Sequence, residues 1–248
     1  MDKIRRNERM SAMMKILAAK PNRIFTLSYF CDLFGSAKST MSEDIDILRD
    51  VVAHFGLGEL ETVTGAAGGV RYRTKVRRPE ARKFIGDLCQ QLSEEGRVLP
   101  GGFLYYSDIL STPEIVTRMG EIMATEYYAA APDFVLTMET KGIPVAFAAA
   151  HALGVPLVIA RRSSKVYEGS AVNINYVSGS SGHIETMSLS RRAVQEGQKC
   201  LIVDDFLKGG GTAKGMVDLM REFNVEVIGM TFVMSTAKPV KKRVMGEK

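Results

Sequence analysis

The sequence is poor in the residues that build disulfide scaffolds, metal clusters and membrane spans. It has three cysteines, three histidines and no tryptophan in 248 residues. Cys31, Cys89 and Cys200 are far apart and lie in apolar patterns, which is typical of reduced thiols in a cytoplasmic protein. The histidines show no metal-ligand spacing, so no protein-bound metal is predicted. No apolar run approaches the ~20 residues of a membrane span, and the first residues lack the apolar segment of a secretory signal.

Positive charge is in excess, and the excess is local. Residues 1–78 hold 14 Lys and Arg against 9 Asp and Glu, whereas residues 79–248 hold 19 of each. The net charge of +5 therefore lies in the first third of the chain. This asymmetry predicts a basic N-terminal domain (residues 1–78) joined to a neutral domain (residues 79–248). It also favours a polyanionic partner for the first domain.

Periodicity in the first domain predicts three helices and a hairpin. Apolar stripes place the helices near residues 9–19, 27–34 and 38–54. Two alternating stretches between residues 60 and 74 flank a Gly-Ala-Ala-Gly-Gly turn, which is typical of two strands joined in a hairpin. Three helices followed by a hairpin indicate a winged helix-turn-helix.

The third helix is the candidate DNA reader of this domain. Its first turn carries a cation and small hydroxyls that can meet phosphates and base edges, on Lys38, Ser39, Thr40 and Ser42. Arg71 and Arg73 alternate along the second wing strand, so both point to one face and could reach the DNA backbone or the minor groove. The helix is acidic further along, which limits its approach to DNA to the first turn. A winged helix that contacts only proteins is the alternative.

The second domain contains one stretch in which several chemical groups follow each other closely, residues 200–212, C-L-I-V-D-D-F-L-K-G-G-G-T. Its apolar start predicts a buried parallel strand with Asp204 and Asp205 at the carboxyl end, where ligands of open α/β sheets bind. A glycine-rich turn and a helix N-terminus beginning at Thr212 then offer N–H groups to a phosphate. The carboxylates need hydroxyls or a metal, so a sugar phosphate suits the whole stretch. A strand–turn–helix whose acids only cap the helix is the alternative.

Strands and helices alternate from residue 134 onward, which predicts an α/β fold with a doubly wound parallel sheet. Two further stretches, residues 171–177 and 184–189, alternate apolar and polar side chains and predict an antiparallel hairpin. Tyr105 and Tyr106 either line a ligand site or simply pack, and packing is the favoured interpretation. The basic tail, residues 237–248, is expected to be loose.

The strand, acidic pair and G-G-G-T turn resemble the 5-phosphoribosyl-1-diphosphate (PRPP) signature of type I phosphoribosyltransferases. The resemblance implies a type I phosphoribosyltransferase-like sheet. It also implies that the acidic pair takes the ribose 2- and 3-hydroxyls, that the turn wraps the 5-phosphate, and that a second loop holds pyrophosphate, usually with Mg²⁺. The implied ligands are Asp204, Asp205, Lys208, Gly209, Gly210, Gly211 and Thr212 for the ribose phosphate, and Thr140, Lys141 and Gly142 for pyrophosphate.

The resemblance also assigns a role to the hairpin, which in that family is a mobile loop that closes over PRPP. Arg161 and Lys165 lie where family members present cations to the pyrophosphate, and Tyr176 would stack or hydrogen-bond on closure. A surface hairpin with no role is the alternative. Lys208 replaces a small residue of the transferases, and Gly209 stands where they often carry Thr or Ser.

The whole chain resembles the bacterial pur operon regulators of the phosphoribosyltransferase-fold type. The motifs are S-A-K-S-T-M-S-E-D-I, G-A-A-G-G-V-R-Y, L-P-G-G, T-K-G-I-P and I-N-Y-V-S-G-S-S, besides the PRPP motif. The resemblance covers residues 5 to about 235. The resemblance implies a homodimer without transferase activity that binds double-stranded operator DNA of purine genes and takes PRPP as effector. An active purine phosphoribosyltransferase with an appended DNA-binding domain is the alternative. A sensor of another phosphorylated nucleotide, such as guanosine tetraphosphate, is a third possibility.

Overall fold

The computed structural model describes residues 4–65, 68–164, 169–178, 182–237 and 243–244. The chain divides into two compact units, Met1–Gln91 with His151–Gly154, and Leu92–Ala150 with Val155–Lys248. Within the described residues, no helix combines the length and the hydropathy that a membrane span requires. The domain boundary expected after residue 78 stays a prediction.

The N-terminal unit contains the elements that the apolar pattern predicts, three helices and then an antiparallel hairpin. The structure confirms these elements, with ends that differ by a few residues. Helix α4 begins in this unit and ends at its boundary. The elements are α1 Arg6–Ala18, α2 Leu27–Phe34, α3 Lys38–Phe55, β1 Glu59–Val63, β2 Gly69–Arg73 and α4 Arg78–Leu92.

Caps and a small core hold the helices of this unit. The Thr26 hydroxyl accepts a hydrogen bond from the Tyr29 N–H at 3.1 Å and so satisfies an amide at the start of α2. Gly35 ends α2 in the left-handed conformation, with φ of 59°. Phe30 of α2 and Met41 of α3 are fully buried in the core that the three helices share with the wing.

A buried ion pair joins the first and third helices. Asp44 of α3 has no exposed side-chain surface, and it accepts hydrogen bonds from Arg9 at 3.0 Å and Arg6 at 2.9 Å. One of the acids of α3 is therefore buried against the arginines of α1 and does not face solvent. Glu43, the adjacent acid, lies outside and pairs with Arg6 at 2.7 Å.

The second unit is built around a four-stranded parallel sheet with the strand order β10-β9-β5-β6. This sheet confirms the predicted α/β class. A two-stranded hairpin near the start of the unit and the short helix α5 were not predicted. The elements are β3 Val98–Leu99, β4 Phe103–Leu104, α5 Ser107–Leu110, α6 Pro113–Tyr127, β5 Phe134–Met138, α7 Ile143–Leu153, β6 Leu157–Ala160, β7 Ala171–Val177, β8 Ile184–Ser190, β9 Lys199–Leu207, α8 Gly211–Glu222 and β10 Glu226–Ser235.

The central strand β9 is longer than its apolar run. Cys200–Val203 is fully buried, as expected of a parallel strand between neighbours on both sides. The strand continues to Leu207, since Asp204 pairs with Phe232 and Leu207 with Ser235 of β10. The acidic pair therefore lies within the strand and not after its end, which corrects the sequence interpretation.

The predicted hairpin, β7 with β8, is present and packs on helix α8. Its Tyr176 is buried, and the ring contacts Gly215 so closely that a Cβ atom there would stand 3.0 Å from the ring. Of the C-terminal tail, the structure describes residues 237, 243 and 244, and the rest of the expectation lies outside the described residues. Val244 is only 9% exposed and belongs to the core, so the expectation of a loose tail is wrong at this residue.

We predict that Asp44→Ala destabilises the N-terminal unit by about 3–5 kcal/mol, because it leaves the buried Arg9 guanidinium without its counter-charge. Native-state hydrogen exchange of the α1 and α3 amides in the full chain measures the effect. Glu43→Ala is the matched control and should cost less than about 1 kcal/mol, because Glu43 is 66% exposed. Equal losses in the two variants would contradict the role given to the buried pair.

Candidate functional site

Asp204 is the most buried acid of the second unit's site. Its residue is 7% exposed, and its Oδ1 accepts a hydrogen bond from the Asp205 N–H at 3.0 Å. Burial raises the pKa of Asp204 well above the usual range, and repulsion from the Asp205 carboxylate adds to the shift. A buried carboxyl whose ionisation is disfavoured is stabilised by a ligand that donates hydroxyl hydrogen bonds or brings positive charge.

The loop after β5 comes up against this carboxyl. Gly142 lies so close that a Cβ atom there would overlap the Asp204 carboxylate and stand 2.6 Å from the Thr137 hydroxyl oxygen. Only glycine allows this approach. The predicted pyrophosphate loop and the predicted ribose loop are therefore side by side at the carboxyl ends of two neighbouring strands.

The glycine turn closes the other side of the site. Gly210 has φ of 79°, in the left-handed region, and serves as the N-cap of α8. The turn therefore leads directly into the N-terminus of α8, where the positive potential of the helix dipole attracts an anion.

These loops surround an open cavity of about 380 Å³. Every residue of the two loops that the sequence predicted as a ligand lines the cavity, except Gly142. Gly142 lies against Asp204, which does line the cavity. The cavity is lined by Tyr106, Met138, Glu139, Thr140, Lys141, Arg162, Asp204–Ala213 and Phe232. Its polar groups are thus carboxylates, three cations, hydroxyls and backbone amides, a set that suits a phosphorylated sugar.

Tyr106 is a site residue for which the sequence favoured simple packing. Its hydroxyl donates a hydrogen bond to Asp205 Oδ2 at 2.7 Å, and its ring lies 4.5 Å from Lys141 Nζ and stacks on Phe206. Burial, followed by the bond to Asp205, raises the pKa of Tyr106. The tyrosine therefore connects a carboxylate of β9 with the cation of the β5 loop. Its only sequence signal was a Tyr-Tyr pair shortly before a helix.

The cations near the hairpin are arranged differently from the expectation. Arg161 does not line the cavity, and its guanidinium lies 3.6 Å from Glu139. The next residue, Arg162, lines the cavity and donates to Glu185 at 3.0 Å. Lys165, the other expected cation, falls outside the described residues.

Tyr176 does not line this cavity. Its hydroxyl donates to Glu185 Oε2 at 2.9 Å, and the side chain lies between the hairpin and α8. Burial, followed by that hydrogen bond, raises the pKa of Tyr176 to about 12. A contact of Tyr176 with a ligand stays a prediction.

The expected DNA-contacting residues lie on a different unit and around a different groove. Lys38 and Ser42 line a concave groove between the first turn of α3 and the wing. Ser39 is exposed and Thr40 is half-buried on the same turn. Thr26, Arg49 and Thr62 also line the groove and were not singled out in the sequence.

Both wing arginines are held by one acid. Arg71 makes a two-pronged pair with Glu61, each bond 3.0 Å, and Arg73 approaches the same carboxylate at 2.7 Å. Arg73 also donates to Asn22 at 3.0 Å. The hydrogen bond from Arg71 is the main cause that lowers the pKa of Glu61. A contact of either arginine with DNA would have to share Glu61, and it stays a prediction.

Comparison with known families identifies the two units. Residues 5–74 match the family model described as bacterial purine repressor, N-terminal, and residues 106–247 match the phosphoribosyl transferase domain. Adenine phosphoribosyltransferase from Saccharomyces cerevisiae has the same fold as the second unit, with a TM-score of 0.55 and 20% identity over 62% of this chain and 90% of that chain. The molecule is thus a DNA-binding domain joined to a phosphoribosyltransferase fold.

Whole-chain relatives narrow this class. The purine biosynthesis transcriptional repressor PurR of Bacillus subtilis is 44% identical over 99% of this chain and 86% of its own length. The purine biosynthesis transcriptional activator PurR of Lactococcus lactis is 42% identical over 92% of this chain and 84% of its own length. The chain belongs to this bacterial PurR family of purine regulators. Xanthine phosphoribosyltransferase of Geobacillus thermodenitrificans is 34% identical over 61% of this chain and 80% of its own length.

We predict that Asp204→Asn raises the urea midpoint of unfolding at about pH 8, because it removes a buried carboxyl that resists ionisation. The pKa of Asp204 is raised in the folded state, so its ionisation lowers stability as pH rises above its ordinary pKa of about 3.9. The advantage of the variant should therefore shrink as the pH falls to about 4. Asp87→Asn, at an exposed acid of α4, is the control. A pH-independent difference would show that the gain has another cause.

Proposed function

We propose that this protein regulates transcription of purine biosynthesis genes and that PRPP controls its binding to operator DNA. The observation that carries the proposal is the meeting of Asp204, Asp205, the glycine turn and the Thr140–Gly142 loop around one cavity. Family membership supports the transcriptional role, since the full-length relatives are named as purine biosynthesis regulators.

The site offers a separate set of groups to each part of PRPP. The carboxylates of Asp204 and Asp205 are acceptors for the two ribose hydroxyls. The N–H groups of the glycine turn, with Thr212 and Lys208, suit the 5-phosphate. The amides of residues 140–142 and the charge of Lys141 suit the diphosphate. Arg162 is a further cation at the same cavity.

Magnesium fits this site together with the ligand. Among the described residues, no group of three or more His, Cys, Asp or Glu side chains could hold a metal alone. Mg²⁺ characteristically keeps one or two protein carboxylates and takes the rest of its shell from phosphates and water. Asp204 and Asp205 can supply those carboxylates, and bound Mg²⁺ would neutralise part of the diphosphate charge.

The composition of the phosphate loop, residues 208–211, supports binding of PRPP without its conversion. Lys208 adds a full positive charge to a loop that recognises the ground state of the ligand. Tight binding of substrate does not accelerate a reaction unless the interaction strengthens in the transition state. Transferase activity is nevertheless the second candidate function, because a xanthine phosphoribosyltransferase is 34% identical over 155 residues.

The N-terminal unit is the proposed DNA-binding part. The groove beside the first turn of α3 presents Lys38 and Ser42 with the hydroxyls of Thr26 and Thr62. A positive charge among hydroxyls is suited to phosphates of the DNA backbone. Two copies in a homodimer would read two half-sites related by the molecular two-fold axis.

Control by PRPP requires that it bind the DNA-free and DNA-bound protein with different affinities. The relatives named above include a repressor and an activator at nearly equal identity. The proposal therefore concerns operator occupancy, while the direction of regulation follows from the position of the operator at each promoter.

The test is a titration of PRPP with Mg²⁺ into the complex of the protein with purine-operon promoter DNA, followed by fluorescence anisotropy. Guanosine tetraphosphate is then added as a competitor, and adenine, guanine, hypoxanthine and xanthine are added in turn. A shift of DNA affinity with PRPP and no release of pyrophosphate would support the regulator. Conversion of a base to its nucleotide would establish the transferase, and no response to PRPP would overturn its role as effector.

We predict that Asp205→Ala weakens PRPP binding by about tenfold or more, because a charged acceptor for a ribose hydroxyl is lost. DNA affinity without PRPP should stay unchanged, and the PRPP response should shift to correspondingly higher concentration. Asp218→Ala, on α8 outside the cavity, is the matched control. An unchanged PRPP response in Asp205→Ala would remove the acidic pair from the site.

We predict that Lys38→Ala lowers DNA affinity on all sequences and reduces the slope of log K against log salt by about 1, because one phosphate contact is lost. Anisotropy titrations at several salt concentrations measure both quantities. Lys15→Ala, at an exposed lysine of α1, is the control of equal charge. The docking of the first turn of α3 is wrong if the two variants behave alike.

A further inference from the structure

Thr236 and Arg243 make hydrogen bonds to three consecutive carbonyl groups, at the end of β9 and the start of the glycine turn that follows it. The Thr236 N–H donates to the Leu207 carbonyl at 3.0 Å, and the Thr236 hydroxyl donates to the Lys208 carbonyl at 3.1 Å. The Arg243 N–H donates to the Gly209 carbonyl at 3.2 Å. We call Thr236, Arg243 and Val244 the C-terminal clasp.

The clasp is itself anchored at two places. Val244 is buried in the core of the second unit, next in sequence to the residue that bonds Gly209. The Arg243 guanidinium donates to the Val177 carbonyl at the end of β7, at 3.4 Å. At its other end the clasp follows directly on strand β10, which is hydrogen-bonded to β9 as far as Ser235. Through the clasp, the phosphate loop is therefore connected to the core and to strands β7 and β10.

These bonds decide the direction of the loop's amides. A peptide group is planar and trans, so its C=O and its N–H point in opposite directions. When the clasp holds the carbonyls of residues 207, 208 and 209, the N–H groups of residues 208, 209 and 210 point away from it. These three amides belong to the turn that lines the cavity. Successive N–H groups turned to one side form a nest for an anion.

Order in this loop has to come from outside it. Glycine loses more conformational freedom on folding than any other residue, and Gly209–Gly211 places three of them in succession. An unsupported loop would bind phosphate only after this entropy was lost, which lowers affinity. Hydrogen bonds on the far side of the loop fix the amides before the ligand arrives.

We propose that the C-terminal clasp presets the phosphate loop, with Thr236 and Arg243 as positioning residues for the 5-phosphate of the effector. The inference rests on the proposed function for the identity of the ligand. Of the two loops at the cavity, the clasp bonds the one that follows β9, so it acts on ligands that carry the 5-phosphate. Pyrophosphate alone, held at residues 140–142, does not depend on it.

The sharpest test compares two substitutions at one position in the full chain. Arg243→Pro removes the N–H that bonds Gly209, whereas Arg243→Ala keeps it and removes only the guanidinium. Calorimetric titration with ribose 5-phosphate, with PRPP and Mg²⁺, and with inorganic pyrophosphate gives the affinities. We expect Arg243→Pro to weaken both phosphoribosyl ligands by about three- to tenfold, the loss typical of one hydrogen bond. Arg243→Ala removes one anchor of the clasp but keeps the bond to Gly209, so its loss should be smaller than that of Arg243→Pro. Pyrophosphate binding should not change in either variant.

Substitutions at a second position test the inference even if the proline variant fails to fold. Thr236→Val removes the hydroxyl that bonds the Lys208 carbonyl and keeps the shape of the side chain, whereas Thr236→Ser retains the donor. The valine variant should show the same selective loss, and the serine variant should restore binding. Thr186→Val on the exposed face of β8 is the matched control. Unchanged phosphoribosyl affinity in both Arg243→Pro and Thr236→Val, or an equal loss for pyrophosphate, would overturn the inference.

A measurement without ligand separates this inference from the proposed function. Backbone ¹⁵N relaxation of the free protein reports the order parameters of the Gly209 and Gly210 amides. We expect values near the rigid limit of about 0.85 in the unaltered protein and a fall below about 0.6 in Arg243→Pro. Failure of the unaltered protein to bind PRPP would overturn the proposed function, while equal order parameters in both proteins would overturn the clasp.

Discussion

The close approach of Gly142 to the buried Asp204 carboxyl is the constraint on which the rest of the site depends. The approach fixes the distance between the loop after β5 and strand β9, because no side chain fits between them. Burial makes the charged form of Asp204 unfavourable in the free protein. The fold therefore holds a group that gains most when a ligand satisfies it, and the glycine turn and Lys141 are placed around that group. Stability and binding oppose each other at this carboxyl.

Local sequence patterns were sufficient for most of the elements and for the main loops. The winged helix could be predicted from apolar stripes and a glycine-rich turn, each of which acts within a few residues. The parallel sheet followed from apolar strands that alternate with helices. The acidic pair and glycine turn lie within one strand–turn–helix, so their proximity was fixed by short chain connections. The end of β9 was misplaced, because its last residues are held by pairing with β10. The hairpin of β3 with β4 and the short helix α5 were not predicted.

Side-chain partners distant in sequence could not be predicted in this way. Tyr106 meets Asp205 across 99 positions, and no periodic pattern records such a pair. Arg161 and Arg162 are adjacent in sequence, and only Arg162 lines the cavity. The sequence alone does not show which of two adjacent arginines faces a site. The strand alternation correctly placed Arg71 and Arg73 on one face, but it did not reveal that Glu61 of the neighbouring strand lies beside both. The contacts of Arg243 and Val244 were missed, because they join residues distant in sequence and a basic composition does not reveal them.

The pairing of arginines inside the N-terminal unit has a consequence for how the protein searches a genome. Arg6, Arg9, Arg71 and Arg73 are four of the cations behind the local charge excess, and each has a carboxylate neighbour on Asp44 or Glu61. Random DNA attracts a protein through cations that can displace condensed counterions. A domain that pairs these arginines with its own carboxylates presents less uncompensated positive charge to the many unrelated sites that compete with an operator. Discrimination between operator and bulk chromosome then benefits from charge that is partly compensated within the domain.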